Sequence, residues 1–322
     1  MIMFSIFFGI EVPIIHAPMA GSALSDMVVA INANFFCHQP PQEDHAREIN
    51  WRRCLDAYYI QLQVDSNASI PNFGAPFDEK MCDLVMEFHP EVVSFHFGLP
   101  DKNLLLRIRK TGAKILSSAT SVTEARWLED QGCDAIIAQG LEAGGHRGMF
   151  LTEDVSTQVG IMALVPQVVD AVKVPVIAAG GIADARGILA AFALGAAAVQ
   201  IGTAYLHCPE AQISPLYRQA LKGTGDNDTA ITNVFTGRPA RAIVNRFMRE
   251  VGPMSDIVPK FPLATGTLAP LRAKSEMAGS ADFTPLWSGQ AARLSRELPA
   301  ADLTRQLAAE TLKNLTLLQT RA

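Results

Sequence analysis

From residue 112 to residue 206 the chain repeats one unit: an apolar run of Ile, Val and Ala, a small or polar turn, then a helical pattern. "TGAKILSSA" reads as a strand and "SVTEARWLEDQG" as a helix, with Ser121 or Thr123 as its cap and Gly132 at its end. "CDAIIAQG" is the next strand. "ALVPQVVDAV" then reads as helix, "VPVIAAGGI" as strand, "DARGILAAFALG" as helix and "AAAVQIGTAYL" as strand. Strands this apolar, with no polar alternation, are those covered on both faces. Short links to helices predict a parallel α/β architecture.

Two such architectures compete. A doubly wound sheet usually carries G-x-G-x-x-G after its first strand, and the first strand here, "VPIIHAPMAGS", lacks it. A TIM barrel spreads its chemistry over the C-terminal ends of many strands. Polar or glycine-rich ends recur in that way: "HAPMAGS", "NANFF", "SFHFGLP", "SSATS", "QGLEAGGHRG", "AAGGI" and "QIGTAY". The spread favours a (β/α)8-type barrel. Residues 206–260 change character and read as helices joined by a Gly/Asp/Asn loop, an excursion over the barrel mouth. In the tail, "LSRELPAADLTRQLAAETLKNL" predicts a final helix capped by Asp302.

With 322 residues the chain can bury a large core, and 49% hydrophobic against 18% charged residues marks it as globular. A net charge of -5 with scattered Lys and Arg gives no electrostatic reason to bind nucleic acid or an anionic membrane. Cys37, Cys54, Cys82, Cys133 and Cys208 form no CxxC pair, so reduced thiols and a cytoplasmic setting are expected. The N-terminal "MIMFSIFFGIEVPII" lacks a positive region and a cleavage site, and Glu11 interrupts it. It reads as a first strand or a plug at the barrel base.

Several strand ends hold groups able to do chemistry. Gly180 and Gly181 close one strand, and Gly202 with Thr203 closes the next; together they form a candidate phosphate cradle at the last two βα junctions. His146 lies beyond "AGG" at another strand end. Its residue type fits proton abstraction or anion stabilisation, and equally a histidine bonded to local backbone. Glu142 reads as a ligand-orienting acid or a helix cap. His96 sits between Phe95 and Phe97, and strand alternation sends it to the face opposite both aromatics. Met19 suits a core position or the side of a flat ring, and Asn34 and Gln139 carry amides for heterocycle edges or loop backbone. His16, His38, His96 and His146 form no tight ligand pair, so no metal is expected. No GxSxG elbow or Cys–His pair supports nucleophilic hydrolysis.

The sequence also resembles the nitronate monooxygenase family (2-nitropropane dioxygenase type), class I. The resemblance rests on "PIIHAPMAG" (13–21), "NANFF" (32–36), "VVSFHFGLP" (92–100), "SSATSVTEARWLEDQGCDAIIAQGLEAGGHRG" (117–148), "PVIAAGGIADARG" (175–187), "QIGTAYL" (200–206), "FTGRPAR" (235–241) and "PLWSGQ" (285–290). It implies a TIM-barrel flavoprotein that binds FMN and oxidises alkyl nitronates, such as propionate 3-nitronate, with dioxygen. By the resemblance Met19, Asn34, Gln139, Gly144, Gly145, Gly180, Gly181, Gln200, Gly202 and Thr203 contact FMN, and His146 is the catalytic base or the group that holds the anionic substrate. Lys222 and Arg238 are the candidates it offers for the substrate region. An NAD(P)H-dependent flavin reductase and a non-catalytic flavin-binding barrel are the alternatives it leaves. The expected division is a barrel of residues 1–205 and 261–322 that binds FMN, with residues 206–260 as a mainly helical excursion. One departure stands out: "SALSDMVVAI" runs directly into "NANFF", where the family has a further βα unit. A barrel incomplete or distorted near residues 22–34 is therefore expected.

Overall fold

The computed structural model describes residues 12–19, 32–42, 44–66 and 74–320. Seven parallel strands form the main sheet: β1 (Ile14–His16), β2 (Asn32–Phe36), β3 (Val92–His96), β4 (Lys114–Ala119), β5 (Ala135–Gln139), β7 (Val176–Ala179) and β8 (Ala198–Ile201). Their order is β1-β8-β7-β5-β4-β3-β2. First and last strands pair, Ile14 against Val199, as they do in a closed barrel. Among the described residues β1 and β2 do not pair. The sheet is thus a curled barrel, one strand short of eight and not fully closed, and the gap falls where a βα unit was expected to be absent. Residues 20–31, which connect its two sides, lie outside the described residues, as do the apolar residues 1–11.

The strands are covered on both faces, as their composition predicts. Ile115, Ile136, Ala138, Val176, Ala178 and Val199 belong to the core between sheet and helices. Their neighbours Leu116, Ala135, Ile137, Ile177, Ala179 and Ala198 fill the barrel interior. Helices α2 (Glu79–Phe88), α3 (Lys102–Arg109), α4 (Val122–Asp130), α5 (Ile161–Ala171) and α6 (Ala185–Ala193) follow the strands; α1 is in the cap below. Ser121 caps α4 by accepting from the Glu124 amide at 3.2 Å, and Asp184 caps α6 by accepting from Arg186 and Gly187. Helix α2 packs against α3, and its Met81, Leu84 and Phe88 form an exposed apolar stripe. At spacings of three and four residues they share one face, of the kind a further barrel helix would cover.

Two sequence expectations change in detail. "AAAVQIGTAYL" is strand only to Ile201; Thr203–Leu206 turns at once into the short helix α7. The final helix, α11 (Ala300–Gln319), starts after Pro299, and the Ala300 amide is satisfied by Glu210 at 2.9 Å. Asp302 is therefore no cap. It lies inside the first turn and pairs with Arg305.

The excursion after residue 206 carries two strands beside its two helices. It holds α8 (Pro215–Gly223), β9 (Thr229–Thr232), β10 (Ala240–Ile243) and α9 (Arg246–Val251). β10 pairs antiparallel with β9 on one side and with β6 (Gly145–His146) on the other. A second core groups this stretch with α1 (His45–Leu62) and α10 (Ala264–Met277): Trp51, Leu55 and Tyr58 pack with Phe235, Phe247, Leu268 and Phe283. Trp51 is fully buried with its Nε1–H donating to Thr267 Oγ1 at 2.8 Å, so the aromatic payload carries no unsatisfied polar handle. α1 and α10 pack with the excursion through this core, which sits over the end of β5 where His146 emerges.

Candidate active site

Period-two alternation decides what faces the barrel interior at the strand ends. The parity that buries Leu116, Ile137 and Ala198 inside continues to Ser118, Gln139 and Gln200. On β3 the same parity runs Val92, Ser94, His96, and the register sets Asn34 beside Ser94. The lumen therefore changes from aliphatic to polar over its last layer. Ser94 Oγ donates to Asn34 Oδ1 at 2.8 Å, which leaves the Asn34 amide group without a partner among the described residues.

His146 is fixed from several directions. Its backbone carbonyl accepts from Gln139 Nε2 at 3.0 Å and from His96 Nε2 at 3.1 Å. A carbonyl only accepts, so His96 carries its hydrogen on Nε2, and Nδ1 accepts from Ser118 Oγ at 3.1 Å. Burial keeps His96 in that neutral form by pulling its pKa down to about 4. Gln139 Oε1 accepts from the Gly148 amide at 2.7 Å, so its side chain clamps both ends of a three-residue turn. Fully buried Arg147 adds a third tie, donating to the Gln139 carbonyl at 2.9 Å and to Gln158 Oε1 at 2.9 Å. Behind the turn the Glu124 carboxylate accepts from Thr120, Phe150 and Leu151.

The imidazole of His146 stands in an aromatic box of Phe36, Phe97, Phe261 and Trp287, with ring centroids 5.3–5.9 Å away. Its Nε2 lies 3.0 Å from Thr236 Oγ1, while Nδ1 has no hydrogen-bond partner among the described residues. Desolvation first, then the neighbouring His96, Arg238 and His38, pull the pKa of His146 down to about 3. The ring is therefore neutral at physiological pH.

Alternation along "SFHFGLP" holds for Phe95 and fails at Phe97. Phe95 packs outward on Phe77, with centroids 5.3 Å apart, and His96 points inward. Phe97 has φ +71°, and this left-handed residue brings its ring back beside that of His96, 4.6 Å away. Holding a phenylalanine there costs about 1–2 kcal/mol. Stacking on Phe36 at 5.0 Å and on the Arg238 guanidinium at 3.8 Å offsets it.

The sequence model for the family described as nitronate monooxygenase matches residues 24–310. The chain belongs to the nitronate monooxygenase family. It is 37% identical to a nitronate monooxygenase of Pseudomonas aeruginosa, covering 94% of this chain and 97% of that one. That alignment runs over 339 positions, more than the 322 residues here, so part of the relative has no counterpart in this chain. A nitronate monooxygenase of Paraburkholderia phytofirmans is 36% identical over 95% of this chain and 94% of its own. Among solved structures, a nitroalkane oxidase from Streptomyces ansochromogenes superimposes with a TM-score of 0.88 at 34% identity, covering 98% of this chain and all of that one. FabK from Thermotoga maritima follows the same fold at 25% identity and a TM-score of 0.72, covering 99% of each chain.

Membership of the nitronate monooxygenase family implies a flavin, and the strand ends fit one. Gly145 has φ +72° and open space where a side chain would begin. Gln200 Oε1 is buried without a partner among the described residues, and Thr203 Oγ1 accepts from the Gly289 amide, which leaves its own hydrogen to donate. The other glycines are engaged by the protein itself. A Cβ on Gly144 would lie 2.5 Å from the Gly289 nitrogen, and one on Gly180 3.0 Å from the Ala143 nitrogen. Gly181 meets Glu142, and Gly202 meets Ala17 at 3.3 Å. Met19 is half-buried against the core. Glu142 serves as a helix cap, both oxygens 3.0 Å from the Ile161 amide at the start of α5.

A groove of about 530 Å³ lined by Gly181, Glu142, Gln290 and Arg293 opens beside the glycine turn. None of the rings around His146 lines it. Lys222 lies at the surface, paired with Glu297 at 2.9 Å. No group of three His, Cys, Asp or Glu suited to a metal occurs among the described residues. Sequence reasoning did not single out Ser118, Thr236, Phe261 or Gly148. Only Ser118 left a signal, since it follows Leu116 at the spacing that sets the lumen face.

Proposed function

We propose that this protein is an FMN-dependent nitronate monooxygenase. It oxidises alkyl nitronates such as propionate 3-nitronate with dioxygen, giving a carbonyl product and nitrite. The observation that carries the reading is His146: a neutral imidazole with one free nitrogen, clamped by its own carbonyl at a strand end of a family flavin barrel. The redox chemistry belongs to FMN, and the protein supplies position, electrostatics and exclusion of water. Gly145, Gln200, Asn34 and Thr203 are the groups with spare hydrogen-bonding capacity or open space for the cofactor; Met19 would lie beside its ring. Gln139, Gly144, Gly180, Gly181 and Gly202 shape the strand ends around it.

His146 has two uses, set by its tautomer. With hydrogen on Nδ1 it donates to a nitronate oxygen. With hydrogen on Nε2 its Nδ1 lone pair is a base for an α-proton. Dioxygen and one small anion are the expected partners, and no described helix is long and apolar enough to cross a membrane. Five free cysteines suit a reducing compartment such as the cytoplasm. Oxygen uptake with propionate 3-nitronate tests the reading. Turnover falling at least about 100-fold in His146→Asn supports it, and full turnover in that variant removes His146 from the chemistry.

A further inference from the structure

One permanent cation, Arg238, stacks against the aromatic box around His146, and among the described residues it has no ion-pair partner. Arg238 lies in the turn after Thr236, and its guanidinium is stacked over the Phe97 ring at 3.8 Å. Nη2 donates to the Met149 carbonyl at 2.5 Å. Among the described residues, buried Nε has no partner and no carboxylate lies within 4 Å of the group. The two acids whose charge reaches it, Glu153 and Glu124, are committed elsewhere. Glu153 pairs with Lys260 at 3.3 Å, and both oxygens of Glu124 are taken by Thr120, Phe150 and Leu151.

Packing alone does not account for this arrangement. A cation–π stack uses the flat face of the guanidinium, whereas its N–H groups lie in the plane and point past the ring. A half-buried guanidinium with unbonded N–H groups is costly unless something else binds them. The positive field of Arg238 also reaches His146, His96 and His38. All three imidazoles are held down by burial first, so none supplies the charge itself. Arg238 stays charged at neutral pH even though burial lowers it to about 10.

Resting on the proposed nitronate chemistry, we infer that Arg238 is the oxyanion-binding residue of the substrate pocket and pairs with the two oxygens of the nitronate head. The planar fork of guanidinium N–H groups matches a planar O–N–O group in the way it matches a carboxylate. Anion recognition and proton chemistry are then divided between Arg238 and a neutral His146.

The probe is nitrate, a planar oxyanion that cannot react, titrated into the flavin-loaded protein. Binding is read from the flavin absorption spectrum and from the melting temperature. Wild type binds saturably, Arg238→Met weakens binding about 10- to 100-fold, and Arg238→Lys falls between them. KM for ethyl nitronate, which has no carboxylate, rises by a similar factor in Arg238→Met while kcat changes less than about threefold. Should Arg238→Met fold poorly, Arg238→Lys carries the test through the same nitrate titration. Nitrate affinity and KM within twofold of wild type in a folded variant overturn the assignment. So does a rise in KM confined to propionate 3-nitronate, which would put Arg238 on the carboxylate instead. Nitrate binding that depends on Arg238 in a protein unable to oxidise any nitronate would keep this inference and remove the proposed reaction.

Discussion

Thr236 Oγ1 accepts from the Arg238 amide at 3.4 Å and lies 3.0 Å from His146 Nε2 and 3.3 Å from the carbonyl of Arg238, so its one hydrogen can go to the imidazole or to the carbonyl but not to both. When the hydroxyl donates to the imidazole, His146 carries its hydrogen on Nδ1 and can donate to an oxyanion. When it donates to the carbonyl, Nε2 holds the hydrogen and Nδ1 becomes the base. Thr236→Val removes the choice. It is expected to lower kcat/KM for nitronate about 10-fold, the worth of one such hydrogen bond, and Thr236→Ser is expected to restore most of it. Steady-state kinetics on both variants, with melting temperatures as control, checks this.

Acid sensitivity follows from the buried imidazoles. His16 and His96 are pulled down to about 4 and His146 to about 3, against about 6.5 in the unfolded chain, with burial the leading cause in each. The unfolded state therefore binds more protons between pH 6.5 and 4. Stability is complete above about pH 6.5 and falls as pH drops towards 4. Burial lowers His38 and His207 as well, and His146→Asn removes one of these contributions, so its melting temperature should fall less steeply over that window. Thermal melts from pH 4 to 8 measure both slopes.

The same neutrality governs activity. Since His146 sheds its proton near pH 3, kcat/KM for a nitronate should show no loss attributable to imidazolium between pH 5.5 and 8. A limb near 6.5 that disappears in His146→Asn would return the anion-binding role to His146.

Gly145 separates cofactor contact from backbone strain. Ala at φ +72° costs about 1–2 kcal/mol, and no protein atom obstructs its Cβ. Gly112, exposed at φ +85° and equally open, is the matched control. Gly145→Ala and Gly112→Ala should lose similar stability, while Gly145→Ala alone loses FMN on dialysis, read from visible absorbance.

Glu124 anchors the segment beyond His146. Replacing it with Ala leaves the buried Thr120 amide and the part-buried amides of Phe150 and Leu151 without an acceptor, a loss of about 2 kcal/mol or more. Urea denaturation should show that loss.

Much of this architecture is legible in the sequence, because short β-branched runs such as "AIIA" and "VIAA", bounded by turn residues and alternating with helical patterns, read as strands buried on two faces. Ser121 and Gly132 mark α4 for the same local reason. The gap between β1 and β2 is legible only by resemblance, since an absent unit leaves no residues to read. The site is less legible where contacts are distant in the chain. Thr236 meets His146 across ninety residues, through a β-pairing that neither segment announces. Phe97 reaches the box through one left-handed residue, which period-two reasoning forbids. Arg238 is visible as a charge in "TGRPAR", but its missing counterion appears only once Glu124 and Glu153 are seen to be engaged elsewhere.

The central claim is that a flavin in this barrel takes electrons from a nitronate bound beside His146. Anaerobic mixing of the flavin-loaded protein with propionate 3-nitronate, and separately with NADH, tests it most directly. Rapid loss of the flavin absorption with nitronate and little change with NADH is the expected result. Rapid bleaching by NADH but not by nitronate would contradict the account, as would a protein that neither purifies yellow nor takes up FMN.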